Sequence, residues 1–301
     1  MDVSVIIVNY NTNELLAQCI HSVIDYTRDV AYEIIVVDNN SNEFTPDDYT
    51  SISNNIEIVR LSRNIGFGKA NNEGVKIANG ELVLFLNSDT LLLNDAISML
   101  YHHMKKHARV GICGGNLYTK EGEPNMSYTE SFPTVVDYLK LLFGLVVLSR
   151  KEENFNVAGE VKRIGGYVSG ADLMIRRSLL ERYGGFDPDF FMYFEDVELC
   201  HRISKVGYEV HSVPSAKIIH LQGGSTTAKG EEISVKSRCF LLESEFIYFR
   251  KTAHKLASVA LWISYLLKSF VALALYKCLR NKKKSIYWCS IIHVLRRVYD
   301  N

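Results

Sequence analysis

The stretch Val3-Ser-Val-Ile-Ile-Val-Asn-Tyr-Asn-Thr12 governs how the rest of the chain is read. Its first six positions are almost wholly β-branched and apolar, as expected of a strand covered on both faces. Its last four, Asn9 to Thr12, are turn and helix-cap residues. Leu15, Leu16, Cys19, Ile20 and Val23 then recur at helical spacing. The alternation continues: Glu33 to Asp38 is a second strand ending on an acid, and Ile56 to Leu61 a third. Ala70 to Ala78 reads as a helix closed by Gly80, and Leu82 to Leu86 as a fourth strand. Apolar strands separated by helices predict an α/β fold with a mostly parallel central sheet. Such sheets bind ligands beyond the carboxyl ends of their strands, which points to Asn9, Asp38, Arg63 and Asp89.

Further along, residues 95 to 107 read as helix and Val110 to Cys113 as a strand before Gly114-Gly115. Residues 118 to 163 are irregular, apart from a strongly apolar run from Tyr138 to Leu148. Gly165 to Ile175 is strand-like and Asp196 to Val206 helical. The tail then changes character. Residues 255 to 280 are rich in Leu, Ala, Val, Trp and Tyr, interrupted by Lys268. The basic group Arg280-Asn-Lys-Lys-Lys284 follows, and then an amphipathic stretch from Ile286 to Val298.

Composition removes several function classes. The 301 residues carry 34 lysines and arginines against 34 aspartates and glutamates, so no basic field argues for nucleic acid. The six cysteines form no C-x-x-C pair and have no zinc spacing, which fits reduced cytosolic thiols. The only early apolar run is strand-sized, which argues against a signal peptide. Arg63-Asn-Ile-Gly-Phe-Gly68 is not a dinucleotide fingerprint, because Asn71 takes the place of the third glycine. A nucleotidyltransferase would carry a glycine-rich, lysine-bearing loop after the first strand, where this chain has Asn9-Tyr-Asn-Thr12.

Three acidic or imidazole positions can carry chemistry. Asn87-Ser-Asp89 follows the fourth strand, so Asp89 can hold Mg2+ or Mn2+ against a diphosphate; the same tripeptide also suits a turn and helix cap. Glu195-Asp196 follows the aromatic run Phe190-Phe-Met-Tyr-Phe194 and opens a helix, a setting that raises carboxyl pKa values and suits a general base. His220 ends an apolar run before Gly223-Gly224 and can bind a metal or a phosphate. Asp38 can accept hydrogen bonds from a ribose or base, and Arg63 can contact base or phosphate.

Taken in order, these segments resemble the family 2 glycosyltransferases of the GT-A fold, in particular their rhamnosyltransferase-like branch. The matching pieces are Val5 to Asn11, Ile35 to Ser41, Arg63 to Asn72, Leu86 to Asp89, Ser169 to Ala171, Gly185 to Asp187, Phe191 to Cys200 and His220 to Ser225. The resemblance implies a Rossmann-like GT-A domain, with a C-terminal helical appendage read from the tail. It implies that Asn9 and Asp38 hold the nucleoside of the donor, with Arg63 and Asn64 nearby. It implies that Asp89, with His220, contacts a divalent metal and the diphosphate, Asn87 standing where the first acid of a D-x-D element would be. Asp196 would be the base, Glu195 its support, and a single displacement would invert the anomeric centre.

The expected reaction is therefore transfer of a sugar from a nucleoside-diphosphate donor, dTDP-rhamnose or a UDP-sugar, to a hydroxyl of a glycan or lipid-linked glycan in polysaccharide biosynthesis. The expected boundaries are 1–115 for the donor half, 116–225 for the acceptor and catalytic half, and 226–301 for the helical region. Residues 256 to 279 nearly reach spanning length, but Lys268 argues for a helix in the membrane interface with Lys282, Lys283 and Lys284 near anionic lipid. That places the expected location in the cytoplasm at the inner face of the cell membrane. The rivals are another nucleotide-binding enzyme and a non-catalytic sugar-nucleotide scaffold.

Overall fold

Period-two alternation along the strands builds two cores from one sheet. On β1 (Val3–Asn9), Val3, Val5 and Ile7 join one apolar cluster while Ile6 and Val8 join the other. β2 (Tyr32–Asp38) divides the same way, Ile34 and Val36 against Ile35 and Val37. A slip of one residue would exchange the two sets, so the register is held by both cores at once. The computed structural model describes residues 1–144, 153–221 and 234–300, and these divide into two compact units.

The first unit comprises residues 1–132, 152–191 and 195–224. After β1 come α1 (Asn13–Tyr26), β2, α2 (Asp47–Thr50), β3 (Ile56–Arg60), α3 (Phe67–Val75), β4 (Leu82–Asn87), β5 (Thr90–Leu92), α4 (Ala96–Lys106), β6 (Val110–Tyr118) and β7 (Tyr128–Thr129). Beyond α5 (Val135–Leu142), which belongs to the second unit, β8 (Lys162–Ile164), β9 (Tyr167–Val168), β10 (Asp172–Arg176), α6 (Arg177–Tyr183), α7 (Glu195–Lys205) and β11 (Glu209–His220) complete it. The strand order is β3-β2-β1-β4-β10-β6-β11-β5, with β8 beside β11. β1 to β4, β6 and β11 run in one direction, and β10, β5 and β8 run against them. The mostly parallel sheet expected from the sequence is present, with the five-residue β10 as its central reversed insertion. α1 and α4 supply one apolar layer, and α3, α6 and α7 the other.

Boundaries differ from the expected ones where side chains override pattern. α3 begins at Phe67 rather than Ala70, because Gly66 at φ 92° turns the chain into it and Phe67 N–H donates to the Phe191 carbonyl at 2.9 Å. A Cβ on Gly66 would lie 2.3 Å from that carbonyl oxygen. The strand expected over Gly165 to Ile175 is two pieces, β9 and β10, preceded by β8. β6 runs five residues beyond Cys113, through both glycines.

The second unit comprises residues 133–151, 192–194 and 225–301. Its described helices are α5, α8 (Val235–Thr252), α9 (Lys255–Cys278) and α10 (Lys282–Asp300). Thr134 caps α5 and Ser234 caps α8, each accepting from the N–H three residues on. The Trp262 indole N–H of α9 donates to Leu295 of α10 at 2.8 Å, and Tyr138 of α5 packs edge-on to Phe249 of α8. The apolar run expected over 138 to 148 is helical to Leu142; from 145 it lies outside the described residues, as do Gly223 and Gly224. α8 falls within 226–301, which was expected to be helical, although no separate helix was delimited there.

Candidate active site

Because β1, β2, β4 and β11 run the same way, their last residues, Asn9, Asp38, Asn87 and His220, come to one edge of the sheet. β10 runs in reverse, so its first residue, Asp172, reaches the same edge, opposite Leu86. The edge is therefore lined by strand starts and strand ends that lie far apart in sequence.

At the β1–β2 side, Asn9 and Asp38 are fully buried and bonded to each other. The Asn9 amide donates to Asp38 Oδ1 at 3.3 Å, Ser41 Oγ at 3.1 Å and Asn13 Oδ1 at 2.9 Å. Its carbonyl accepts from the Thr12 hydroxyl at 2.8 Å. Asp38 also accepts from Ser41 N–H and faces Arg60 at 3.7 Å. These bonds hold two loops whose tips, Asn11 and Asn40, are left-handed at φ 57° and 66°, a conformation asparagine tolerates. Asn64 braces the third loop, its oxygen accepting from Gly66 N–H at 2.9 Å and from the Asn39 amide at 3.1 Å. Arg63 is exposed on that loop.

At the β4–β11 side, Asp89 Oδ1 lies 3.3 Å from His220 Nε2, with His220 buried and Asp89 only 15 % exposed. Leu221 N–H donates to the Asp89 carbonyl at 2.8 Å and pins the loop to the strand end. The Asn87 amide nitrogen is 3.4 Å from the same imidazole nitrogen, and Asn87 Oδ1 is buried without a partner. Among the described residues no group of three or more His, Cys, Asp or Glu is arranged for a metal. The pair Asp89–His220, with an unsatisfied amide oxygen beside it, fits a divalent cation that takes its remaining ligands from phosphate and water.

Glu195 and Asp196 open α7 next to Gly170. Asp196 is half-buried; its Oδ2 accepts from Gly170 N–H and its Oδ1 from Val197 N–H, both at 2.8 Å. Glu195 is buried and its Oε2 has no partner. Burial, and then the neighbouring Asp196, push Glu195 up to about 8. Burial also raises Asp196, against the pull of the Gly170 and Val197 N–H groups. Burial thus favours the protonated form of Glu195, while the N–H donors favour charge on Asp196. The chain enters this helix through Tyr193 and Phe194 at φ 71° and 66°, a costly conformation for aromatic residues.

Asp172 was not among the expected residues. It is fully buried; Oδ2 accepts from Gly115 N–H at 2.6 Å and Oδ1 has no partner. Burial pushes it up to about 7, opposed by that N–H and by His220. Within the sequence it opens an ordinary apolar strand, and the one local signal is an acid on a strand buried on both faces. Thr12 and Ser88, whose hydroxyls meet at 2.9 Å, join the two sides of the edge and were also not anticipated.

Three comparisons bear on this arrangement. The family model described as glycosyl transferase family 2 matches residues 4–184. The rhamnosyltransferase WbbL of Escherichia coli K12 is 29% identical over 165 residues, covering 52% of this chain and 60% of that protein. An N-acetylglucosaminyl-diphospho-decaprenol L-rhamnosyltransferase of Mycobacterium tuberculosis H37Rv is 26% identical over 211 residues, 64% of this chain and 67% of that protein. The matched region thus spans about two thirds or less of these relatives. Among solved structures, GalNAc-T7 with UDP, GalNAc and Mn2+ superposes with TM-score 0.62 at 17% identity, over 89% of this chain and 51% of that one. Staphylococcus aureus TarS 1-349 gives TM-score 0.54 at 16% identity, over 99% and 92%. At these identities the likeness speaks to the fold, which is GT-A.

Proposed function

Since the chain belongs to glycosyl transferase family 2 and has rhamnosyltransferases among its relatives, we propose that it is an inverting glycosyltransferase moving a sugar from a nucleoside diphosphate to a hydroxyl of a glycan or lipid-linked glycan. The observation that carries this reading is the placement, at one sheet edge, of the Asp89–His220 pair and of the adjacent Glu195 and Asp196, which Gly170 ties to the start of β10.

Asp196 is the general base. It is the more accessible of the two acids, and two N–H donors hold its anion. It takes the acceptor's hydroxyl proton as that oxygen bonds to the anomeric carbon from the side opposite the diphosphate. The carbon–oxygen bond to the diphosphate breaks, and its electron pair leaves with the phosphate. Glu195, protonated beside Asp196, keeps a second negative charge away from the diphosphate. Asp89 and His220 would hold a Mg2+ or Mn2+ ion, which would supply positive charge to the leaving diphosphate. An imidazole in the set favours Mn2+ over the harder Mg2+. Asn9 and Asp38 shape the nucleoside pocket, Asn64 holds the loop beside it, and exposed Arg63 reaches the base or phosphate.

The relatives' names favour rhamnose as the sugar moved; dTDP-rhamnose is the donor proposed, with UDP-sugars as the other donor class. The donor half lies within 1–115, the acceptor and catalytic half within 116–225, and the protein works in the cytoplasm at the inner face of the membrane.

The test is a thermal-shift series with UDP-, dTDP-, GDP- and CMP-sugars, with and without Mn2+. A ligand bound only by the folded chain raises Tm, by about 2.7 kcal/mol of stability at a hundredfold excess over Kd. One nucleotide class should shift Tm, more with Mn2+ than without, and Asp89→Ala should abolish the metal increment. A shift that metal never alters overturns the role of Asp89 and His220; no shift with any donor overturns the enzyme reading.

A further inference from the structure

The second unit carries a surface that its own packing leaves uncovered. α9 is 24 residues long and apolar enough to cross a membrane, yet of its side chains only Leu261 and Ser269 are buried. Leu256, Ile263, Leu267, Phe270 and Val271 fall on one face by the helical period and are between 42% and 73% exposed. At the end of α5, Leu141 and Phe143 are 58% and 65% exposed, and the Leu142 carbonyl between them accepts from Lys268 Nζ of α9 at 3.4 Å. Exposed leucines scattered singly need no explanation, but a ridge on one helix face extended by a second helix does.

Charge says what covers it. The whole chain is neutral, but between Glu245 and Asp300 there are eleven lysines and arginines and no acid. Five of them, Lys277, Arg280, Lys282, Lys283 and Lys284, sit at the turn joining α9 to α10. We propose that this face is a docking surface for an anionic lipid bilayer, with α9 lying in the plane of the interface, its apolar ridge among the acyl chains and the α9–α10 turn against the headgroups. The purpose, access to a lipid-linked acceptor, rests on the glycosyltransferase reading; the binding itself does not.

In-plane docking follows from what α9 is tied to. A span would bring Lys268 to mid-membrane. It would also carry in α10, held by the Trp262–Leu295 bond, and with it the Arg297–Glu243 pair. Lying flat, α9 exposes its ridge alone. A second copy of the chain is the other occupant with a matching apolar surface. A two-fold contact would set one cationic turn near another with no acid on this stretch to offset it, whereas anionic headgroups neutralise both ridge flank and turn.

The experiment is sedimentation of the full chain with vesicles of phosphatidylcholine alone or with about one-third phosphatidylglycerol, at low and high salt. The chain should sediment with the anionic vesicles and at least tenfold more weakly with the neutral ones, and salt should weaken it. Lys277→Gln, Lys282→Gln and Lys284→Gln together should lower partitioning by about a hundredfold, at about 1 kcal/mol per lysine. Leu267→Ser with Val271→Ser should also lower it, on an exposed face where folding is unaffected. Donor-induced thermal shifts should be unchanged in all variants, so a parent chain that answers to donor but binds no vesicle condemns this proposal and not the enzymatic one. Equal binding to both vesicle types, binding to neither, or a lipid-free dimer that the serine variants dissociate overturns it.

Discussion

At the sheet edge where β1, β4 and β11 end, Glu195 is pushed up from an ordinary 4.5 to about 8; at the edge where β6 and β11 begin, His103 is pushed down from 6.5 to about 4. Burial comes first in both cases, and the two edges answer it differently. The first edge leaves Asn87 Oδ1, Asp172 Oδ1 and Glu195 Oε2 without partners. At the second, His103 Nε2 meets His211 Nδ1 at 3.1 Å, and His211 Nε2 meets Glu209 at 3.2 Å. Glu209 is further paired with Arg109 and Arg163. Arg176 closes that edge by donating to the carbonyls of Val110, Met104 and His107. One edge is satisfied and holds the fold together; the other keeps unpaired acceptors that a ligand can use.

The two edges also pull stability in opposite directions with pH. Between 4.5 and about 8 the folded chain holds a proton at Glu195 that the unfolded chain has released, so this edge costs more as pH rises. Between about 4 and 6.5 the unfolded chain binds a proton at His103 that the folded chain refuses, so the other edge weakens as pH falls.

The contrast is broken most severely by Asp196→Asn. Transfer should fall by about a thousandfold, since the base is removed while its size is kept, and only one of the two N–H donors, Gly170 or Val197, still finds an acceptor. The donor-induced thermal shift should hardly change, while Tm should fall modestly for the one lost hydrogen bond. Turnover within tenfold of the parent would show that the proton goes elsewhere, and the partnerless acceptors of this edge would then have no catalytic meaning.

At the satisfied edge, Arg176→Ala removes donors to three carbonyls and should cost about 2–3 kcal/mol of stability in denaturant titration. Its activity per folded molecule should stay near that of the parent. If activity fell while stability held, this edge would belong to the site after all.

Much of this division is legible in the sequence, and the limit is instructive. Asn87-Ser-Asp89 and Glu195-Asp196 could be singled out because each stands at a strand end or helix start, where local pattern already gives direction. Asp172 could not. Its meaning comes from Gly115, 57 residues away, and from a reversed strand whose place in the sheet no local pattern dictates. Asn64 stood out as part of a glycine-bearing loop, but its bonds to Gly66 and Asn39 make it a brace. α8, inside the region read as helical, had no legible bounds for another reason: it buries Ser244 and Glu245 beside Phe246 and Phe249, so its apolar positions lack a single clean face.

Glu195→Gln is the smallest change and the sharpest. At neutral pH the parent's Glu195 is protonated, so glutamine copies its charge and nearly its shape. Transfer at pH 7 should remain within about threefold of the parent. The difference should emerge on the alkaline side. As the parent passes about 8, Glu195 ionises beside Asp196 and sets a second negative charge near the diphosphate; the glutamine variant has no such step. Its pH–rate profile from 5 to 9 should therefore keep the acid limb set by Asp196 and lose the inflection near 8. A collapse of activity at pH 7 would mean that the Glu195 anion is needed, and the base would move one residue back along α7, to the buried carboxylate whose Oε2 has no partner.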